Sequence, residues 1–442
     1  MDQLRAKQWV EQIYATALAA VDATHLVKAT LQLTDDALWV QGERYPLIPS
    51  ARLVVLAIGK ASLAMARGAE AALGKRITHG LVVTKRGLVE EIGSLAHFRI
   101  LEAEHPVPGP GSFAAGEAVL SAVSGLREED LVVVLLSGGG SALVESLHPP
   151  LTREELAVTT ELLLRAGADI WLLNAVRRRL SRIKAGGLAR AALPARVINI
   201  IVSDVLGNPL PVIASGPTVS PEPEDSDPIA QIRALGVWEH LPPAVQHALL
   251  RPIPAEPLPN VLASIILADA RTFALAAQRA IEQIGLPAHL LADRFTGEAR
   301  EFARFWAALA RHIHDYQSPW NSPVCLIGAG ELTVTVRGQG RGGRNTEMAL
   351  AAALELAGLS NIVIASLASD GDDGLSGAAG AVVTGETVTA LRAHGIDPHR
   401  VLWNNDSATA LEQVEGLLPK RVTNTNVNDL YLALIGTPPA DL

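Results

Sequence analysis

The first half of the chain alternates short apolar runs with helical stretches. Val10, Ile13, Tyr14, Leu18 and Val21 follow helical spacing and predict an opening amphipathic helix. Four later runs are rich in Val, Leu and Ile and lack polar alternation: Leu53–Ile58, Leu81–Val83, Leu131–Leu136 and Val197–Val202. Such runs are typical of strands buried on both faces. With alanine-rich helical stretches between several of them, they predict an α/β fold with a parallel sheet.

A second set of apolar runs predicts a second domain. Its members are Val261–Ala268, Val324–Gly328, Leu332–Val336, Ile362–Leu367 and Leu430–Ile435. Leu332–Val336 alternates polar and apolar residues, as a half-exposed or edge strand does. The proline-rich segment Pro242–Pro259 is a candidate linker, so we expect one domain over residues 1–250 and a smaller one over 255–425. Whether the last strand, within residues 425–442, returns to the first domain stays open.

Composition narrows the class of protein. The chain has 442 residues, 49% of them hydrophobic, which is enough for a sizeable core. The net charge of −9 argues against nucleic acid or an acidic membrane surface as the main partner. The single cysteine, Cys325, excludes an intramolecular disulfide. No apolar stretch reaches the length of a membrane span, so we expect a cytoplasmic protein.

Two of the candidate chemical groups follow predicted strands directly. Lys60 stands in Gly59-Lys60-Ala61-Ser62, right after Leu53–Ile58. Ser137-Gly138-Gly139-Gly140-Ser141 follows Leu131–Leu136. Consecutive glycines let several backbone N–H groups point at one anion, such as a phosphate. Because open parallel sheets bind ligands at the carboxyl ends of their strands, we expect both segments at a ligand site.

Two aspartates and a basic cluster are further candidates. Asp204 follows Val197–Val202, and Asp370 lies in Ser369-Asp370-Gly371-Asp372-Asp373-Gly374; either carboxylate suits Mg²⁺, and Asp204 also suits a general base. Arg177, Arg178, Arg179, Arg182 and Lys184 form the densest group of cations. We expect a solvated helix face for much of it, with some members open to an anionic ligand.

A glycine-rich loop in the second half permits a different function. Gly338-Gln339-Gly340-Arg341-Gly342-Gly343-Arg344-Asn345 stands between a predicted strand and the helical stretch Thr346–Ala357. It satisfies the G-x-G-x-x-G pattern of dinucleotide-binding loops. The preceding strand alternates, however, unlike a buried first Rossmann strand. The two arginines suit instead a phosphoryl group undergoing transfer.

Taken together, these segments resemble the type-2 glycerate kinase family, also called the MOFRL family. The matching stretches are AIGKAS at Ala57–Ser62, EAEHPVP at Glu102–Pro108, SGGGSAL at Ser137–Leu143, NAVRRRLSRIKAGGLA at Asn174–Ala189, SDVLGNPLPVIASGPT at Ser203–Thr218, GRGGRNTEMAL at Gly340–Leu350, SDGDDG at Ser369–Gly374 and TNTNVNDL at Thr423–Leu430. They span almost the whole chain in family order.

The resemblance implies ATP-dependent phosphorylation of D-glycerate, usually at the 2-hydroxyl, with Mg²⁺. It implies a Rossmann-like N-terminal domain, a smaller mixed α/β domain and an active site in the cleft between them. It also implies catalytic roles for Lys60 and Arg344.

On this interpretation each candidate residue has an expected role. Ser137, Gly138, Gly139, Gly140 and Ser141, together with Gly340, Gly343 and Asn345, would bind ATP. Asp204 or Asp370 would hold Mg²⁺, with Asp204 also a candidate for catalysis. His105 and Arg177 would hold the substrate. The sequence is silent on oligomeric state, and a homodimer stays open.

Two other functions remain open on the sequence. The first is an NAD(P)-dependent reductase of hydroxypyruvate or tartronate semialdehyde, based on the Gly338–Gly343 pattern. The second is a non-catalytic protein that binds small anions. It is motivated by departures from the family pattern, such as Gly109 in place of aspartate and Leu332 in place of threonine.

Overall fold

The computed structural model describes residues 3–88, 94–221, 228–251 and 256–437. The described chain forms two compact units. The N-terminal unit contains residues 23–203 and 208–267, and the C-terminal unit contains residues 3–22, 204–207 and 268–437, apart from the undescribed residues.

The strands are β1 (Leu31–Leu33), β2 (Ala37–Val40), β3 (Glu43–Pro46), β4 (Leu53–Ile58), β5 (His79–Lys85), β6 (Phe98–Ala103), β7 (Leu131–Ser137), β8 (Arg196–Val202), β9 (Val261–Ala268), β10 (Ala288–Glu298), β11 (Val324–Thr333), β12 (Ile362–Ala368), β13 (Ala378–Thr384), β14 (Leu417–Pro419) and β15 (Asp429–Ile435). The α-helices are Gln3–Ala20, Ala23–Thr30, Ser62–Leu73, Pro110–Val123, Gly140–Leu143, Arg153–Arg165, Ile170–Leu180, Gly187–Ala192, Pro228–Ala234, Pro243–Leu250, Ala270–Gln283, Ala299–Tyr316, Arg344–Leu356, Thr387–Ala393, Pro398–Trp403 and Ser407–Glu412.

The N-terminal unit is built on a six-stranded sheet in the order β6-β5-β4-β7-β8-β9. Strands β4 to β8 pair in parallel, and every side chain of β4 and β7 is buried. The predicted buried strands and the parallel sheet are therefore confirmed. The chain runs outward from β4 through β5 and β6 and resumes at β7 on the other side of β4. The sheet thus has a topological switch between β4 and β7, where such folds bind ligands.

The C-terminal unit contains a mixed sheet in the order β10-β11-β15-β12-β13-β14. Only β10 and β11 pair in parallel; the other neighbours are antiparallel. The last strand, β15, is buried along its whole length between β11 and β12. It therefore does not return to the first sheet, because its apolar side chains on both faces are covered here.

The opening helix also belongs to the C-terminal unit, although the sequence predicted one domain over residues 1–250. The apolar stripe of helix Gln3–Ala20 is buried as its spacing predicted, and the helix packs against helix Ala270–Gln283. The Tyr14 hydroxyl donates a hydrogen bond to the Ala368 carbonyl oxygen at 2.6 Å, at the end of β12. These contacts attach the first residues of the chain to elements more than 250 residues away.

Three local predictions differ from the structure. Strand β9, expected to open the second domain, completes the first sheet instead. Residues Pro243–Leu250 of the expected linker form a helix, while residues 252–255 of that linker lie outside the described part of the chain. Leu332–Val336 is not an edge strand of its own. Its first two residues end β11, which is an inner strand, and Val336 is 74% exposed.

None of the helices that the structure describes is both long enough and apolar enough to cross a bilayer.

Replacing Tyr14 with phenylalanine tests the attachment of the opening helix. The Ala368 oxygen also accepts from the Gly371 N–H at 3.1 Å, so losing the hydroxyl removes one hydrogen bond without leaving an orphaned acceptor. We expect Tyr14→Phe to lower stability by about 1 kcal/mol, seen as a thermal midpoint lowered by a few degrees. Tyr316→Phe is the control, since that side chain is among the exposed ones. Equal midpoints for the two variants would contradict the attachment.

Candidate functional site

Lys60 and the triple-glycine segment meet at the carboxyl ends of β4 and β7. The Lys60 backbone N–H donates to the Gly138 carbonyl oxygen at 2.8 Å, and the Ala61 N–H donates to Ser137 Oγ at 3.0 Å. A Cβ on Gly59 would lie 2.1 Å from Ser137 Oγ, so only glycine permits this approach. The two segments that sequence analysis singled out separately thus form one structure at the topological switch.

The glycine segment, Ser137–Ser141, presents open backbone donors. Among the described residues, the N–H groups of Gly138, Gly139, Gly140 and Ser141 have no hydrogen-bond acceptor. Gly139 adopts a left-handed conformation (φ 83°, ψ −8°), and the Gly138 carbonyl oxygen is held by Lys60. Consecutive N–H groups in such a turn form an anion-binding concavity. The expected phosphate-binding loop therefore has the donors it needs.

Lys60 and His105 flank this loop. A Cβ on Gly139 would lie 3.1 Å from His105 Nε2 and 3.4 Å from Lys60 Cγ, so both side chains adjoin the glycine. Burial, together with the charges of Lys60 and Lys85, lowers the pKa of His105 to about 4. The imidazole is therefore neutral at pH 7 and can donate or accept a hydrogen bond.

The basic cluster is not one helix face. Helix Ile170–Leu180 carries Arg177, Arg178 and Arg179 but ends before Arg182 and Lys184, so the expected helix face does not include those two residues. Arg179 donates to the backbone oxygens of Leu249 and Arg251, and Arg182 pairs with Glu117. Lys184 is buried. Arg177 is partly buried, and its Nε has no hydrogen-bond partner among the described residues.

In the C-terminal unit, Arg344 is held by two carboxylates. Its Nε and Nη2 bind the Asp429 oxygens at 2.5 and 3.0 Å, and its Nη1 binds Glu331 Oε1 at 2.6 Å. Burial by itself would lower the pKa of Arg344. The negative charges of Asp429 and Glu331 outweigh this effect, so the pKa of Arg344 is raised. Burial likewise raises the pKa of Asp429 to about 7, against the opposing effect of Arg344. The guanidinium is thus charged and fixed in one plane.

Asp204 joins the same network through two asparagines. Its Oδ2 accepts from Asn426 Nδ2 at 2.8 Å, and its backbone oxygen accepts from Asn428 Nδ2 at 2.7 Å. Asn428 Nδ2 also donates to Glu331 Oε2 at 3.1 Å. The structure therefore brings Asp204 and Arg344 into one hydrogen-bonded set, whereas Lys60, His105 and Arg177 lie in the N-terminal unit.

Most backbone donors of the second glycine loop, Gly338–Gly343, are occupied. Asn404, Asn405 and Asp406 accept hydrogen bonds from the backbone N–H groups of Arg337, Gly338, Gln339, Gly340 and Arg341. The Gly343 N–H donates to Thr346 Oγ1 at 2.9 Å. A Cβ on Gly340 would lie 2.3 Å from Asp406 Cβ, so this glycine serves packing within the protein.

Asp373 occupies the start of the helix that follows this loop. Its carboxylate accepts from the backbone N–H groups of Asn345 and Thr346, both at 2.9 Å. A pyrophosphate would need these donors. The backbone N–H groups of Gly340, Gly343 and Asn345 thus already serve the protein's own acceptors, and ATP binding by these residues stays a prediction.

The three aspartates of the predicted cation-binding loop, Ser369–Gly374, form separate hydrogen bonds and ion pairs within the protein. Asp373 caps the helix, Asp372 Oδ2 pairs with Lys420 Nζ at 2.9 Å, and Asp370 Oδ1 accepts from the Asp372 N–H. The described residues include no group of three or more His, Cys, Asp or Glu side chains placed to share a metal ion. Asp370 and Asp204 are consequently candidates only as single carboxylates.

Sequence reasoning missed Glu331, Asn426, Asn428 and Asp429 as site residues. Asn426, Asn428 and Asp429 are buried, and Asp429 pairs with Gly330 across neighbouring strands β15 and β11. The available signal was a run of polar residues, TNTNVND, directly before a strand of apolar residues. Buried polar side chains require partners, so such a run predicts a hydrogen-bonded network.

The raised pKa of the Asp429 carboxyl should make the stability of the protein depend on pH. Between about pH 4 and pH 7 the unfolded carboxyl is ionised, while the folded one, with its raised pKa, retains its proton. Wild-type stability attributable to this group is therefore fully present below pH 4 and falls as the pH rises through 7. The Asp429→Asn side chain does not titrate. The stability of this variant should therefore not show the part of the pH dependence that is due to Asp429.

Urea unfolding of both proteins at pH 5, 6 and 7.5 measures this difference. Wild type should lose stability relative to Asp429→Asn as the pH rises. Parallel pH profiles would show that the folded carboxyl keeps an ordinary pKa.

Two family models and several relatives match the chain. Residues 9–250 match a domain described as of unknown function, and residues 324–429 match the MOFRL family. The D-glycerate 2-kinase of Thermotoga maritima is 39% identical over 89% of this chain and 93% of its own length. A relative from Agrobacterium vitis, provisionally named a hydroxypyruvate reductase, is 38% identical over 98% of this chain and 96% of its own length.

A solved structure is similar over nearly the whole fold. The crystal structure of a glycerate kinase from Thermotoga maritima has a TM-score of 0.87 and 36% identity, covering 98% of this chain and all of that one. The resemblance carried by the sequence motifs is confirmed by these matches: the chain belongs to the type-2 glycerate kinase, or MOFRL, family.

Proposed function

We propose that this protein is an ATP-dependent kinase of D-glycerate that forms 2-phospho-D-glycerate and ADP. The observation that carries the proposal is the row of open N–H donors at Gly138–Ser141 beside Lys60. Phosphoryl transfer depends mainly on positioning and on electrostatic stabilisation, so a donor cradle with fixed cations suits it. Kinship with D-glycerate 2-kinase supports the choice of substrate.

The N-terminal unit binds the nucleotide phosphates in this proposal. The N–H groups of Gly138–Ser141 donate to phosphate oxygens, and the Lys60 ammonium neutralises charge that develops during transfer. His105, neutral at pH 7, donates or accepts a hydrogen bond without competing with Lys60 for the anion. The prediction that His105 holds the substrate is kept as part of the proposal.

Arg344 contributes a second, preorganised cation. A guanidinium carries five N–H donors. The hydrogen bonds to Asp429 and Glu331 engage three of them, and within the described chain the remaining two have no acceptor. Two N–H groups in one plane match two oxygens of a phosphoryl group. Because burial raises the pKa of Asp429 to about 7, this carboxyl compensates the positive charge only in part near neutral pH.

Mg²⁺ belongs to the proposal as the usual companion of ATP. The donor chemistry fits, since Mg²⁺ with a nucleotide takes one or two protein carboxylates and completes its shell with phosphates and water. Asp204 would hold it, its Oδ2 oriented by Asn426, and Asp370 is the second candidate. When bound, the ion neutralises charge on the phosphates.

The reductase alternative loses its structural basis. It depended on the Gly338–Gly343 loop, whose backbone donors are bonded to Asn404, Asn405 and Asp406, and on a helix start that Asp373 already caps. One assay separates the two functions. Purified protein is incubated with D-glycerate and either MgATP or NAD(P)⁺, and ADP and nicotinamide absorbance are followed. ADP formation that requires D-glycerate supports the kinase; nicotinamide reduction without ADP contradicts it.

The Lys60 side chain should be essential for turnover. Lys60→Met removes the ammonium next to the glycine loop, and kcat should fall by about 100-fold or more. Thermal stability should barely change, because Lys60 lies in a partly exposed turn. Lys75→Met, at the other end of the following helix and exposed, is the matched control. Near-wild-type kcat in folded Lys60→Met would remove Lys60 from the mechanism.

Arg344→Lys tests the geometry of the guanidinium. Lysine keeps the charge but loses the planar pair of donors, so kcat for ADP formation should fall markedly while the Kd for ATP is retained. Arg344→Ala should lower kcat further, since the charge is lost too. Arg337→Lys, in an exposed position of the same segment, should leave kcat unchanged. If Arg344→Lys turned over like wild type, bidentate contact by Arg344 would be excluded.

A further inference from the structure

A second group of charges lies buried in the N-terminal unit. Lys184 Nζ donates to Glu145 Oε2 at 2.5 Å, and each side chain is only 1% exposed. Arg177 lies within electrostatic reach of both. We call Arg177, Lys184 and Glu145 the buried charge cluster.

The buried charge cluster carries one positive charge in excess. The Lys184 ammonium and the Glu145 carboxylate compensate each other, and Lys184 also donates to the Val144 carbonyl oxygen at 3.3 Å. Burial lowers the pKa of Lys184, which Glu145 opposes. Arg177 remains protonated, and no described carboxylate forms an ion pair with it. A partly buried charge without an ion-pair partner is unfavourable, so a bound anion would stabilise the cluster.

The unsatisfied atom of the cluster is known. Arg177 Nε is buried and has no hydrogen-bond acceptor in the described chain, although the whole side chain is only partly buried. Nε itself is therefore shut off from solvent and short of an acceptor, while other atoms of the partly buried side chain reach the surface. A carboxylate matches a guanidinium with two parallel N–H···O bonds.

The cluster adjoins the phosphate-binding loop. Glu145 follows Ser141 by four residues, after the one-turn helix Gly140–Leu143. The segment after Glu145 is joined to the segment before Lys184, since the Arg182 N–H donates to the Ser146 oxygen at 2.7 Å. Ser141 Oγ bonds Ser215 Oγ at 2.7 Å, and the Ala185 N–H donates to the Ser215 oxygen at 3.0 Å. Glu145 and Lys184 thus lie on segments linked to the loop by hydrogen bonds, and Arg177 is within electrostatic reach of both.

We infer that Arg177 is the receptor for the carboxylate of the small hydroxy acid, and that Lys184 positions it by keeping Glu145 engaged. The inference rests on the proposed function, in which that acid is D-glycerate. Lys184 does not touch the substrate. Without its ammonium, the Glu145 carboxylate would pair with Arg177 and compete with the ligand.

Two ligands and four variants test the inference. D-glycerate is compared with glycerol, which keeps a three-carbon skeleton and hydroxyl groups but has no carboxylate. Affinities are measured by calorimetry without ATP, alongside the Kd for ATP and steady-state kinetics. The variants are Arg177→Met, Lys184→Met, the double variant Lys184→Met/Glu145→Met, and Arg182→Met as the control, since Arg182 pairs with exposed Glu117.

Arg177→Met should weaken D-glycerate binding by about 10- to 100-fold, the size of a lost charged hydrogen bond, and leave the Kd for ATP unchanged. It should also abolish the preference for D-glycerate over glycerol. Lys184→Met should raise the KM for D-glycerate more than it lowers kcat. The double variant should recover most of that affinity, because Glu145 is no longer present to quench Arg177. Arg182→Met should behave like wild type.

Other results would overturn the inference. Unchanged D-glycerate affinity in Arg177→Met would exclude the receptor, and loss of ATP affinity instead would assign Arg177 to phosphate. If Lys184→Met and the double variant were equally impaired while folded, Lys184 would not act through Glu145. Should either fail to fold, Arg177→Met alone decides. If wild type binds D-glycerate through Arg177 but transfers no phosphoryl group, the proposed function fails and the receptor stands.

Discussion

Backbone N–H groups just after a strand or at the start of a helix need hydrogen-bond acceptors. The two glycine-rich loops of the protein differ in whether the protein itself supplies these acceptors. Their sequences are similar in kind, but their surroundings differ. Around Gly138–Ser141 the structure describes no acceptor for four consecutive donors, whereas Asn404–Asp406 and Asp373 fill the corresponding role around Gly338–Asn345. The first loop is open to an anion and the second is a packing element. The proposed division of labour between the units follows from this contrast.

Arg344 and Arg177 differ in how their positive charges are compensated by nearby carboxylates. Arg344 is clamped by Asp429 and Glu331, which fix its plane while burial weakens the ionisation of Asp429. Arg177 has no carboxylate of its own among the described residues, because Lys184 occupies Glu145. A clamped guanidinium suits a phosphoryl group that must be positioned, and an uncompensated one suits a ligand that brings its own negative charge. Both arrangements depend on acidic residues from other segments of the chain.

The sequence predicted what is local and missed what is assembled from distant segments. Strands β4 and β7 were evident because parallel strands covered on both faces are continuously apolar. Lys60 and Ser137–Ser141 followed from their position after those strands. The acceptors that bond the N–H groups of the second glycine loop could not be predicted, because Asn404–Asp406 lie about sixty residues further along the chain. The same holds for β15, whose place between β11 and β12 depends on tertiary pairing. The role of Asp429, at the start of β15, could not be predicted for the same reason.

The contrast between the two loops can be measured directly by amide hydrogen exchange with and without nucleotide. Addition of MgADP should slow exchange in peptides covering residues 137–143 and leave residues 338–346 unchanged, since most backbone donors of the latter are already bonded within the protein. NADH should protect neither segment. Protection of residues 338–346 by either nucleotide, with residues 137–143 unaffected, would contradict the account.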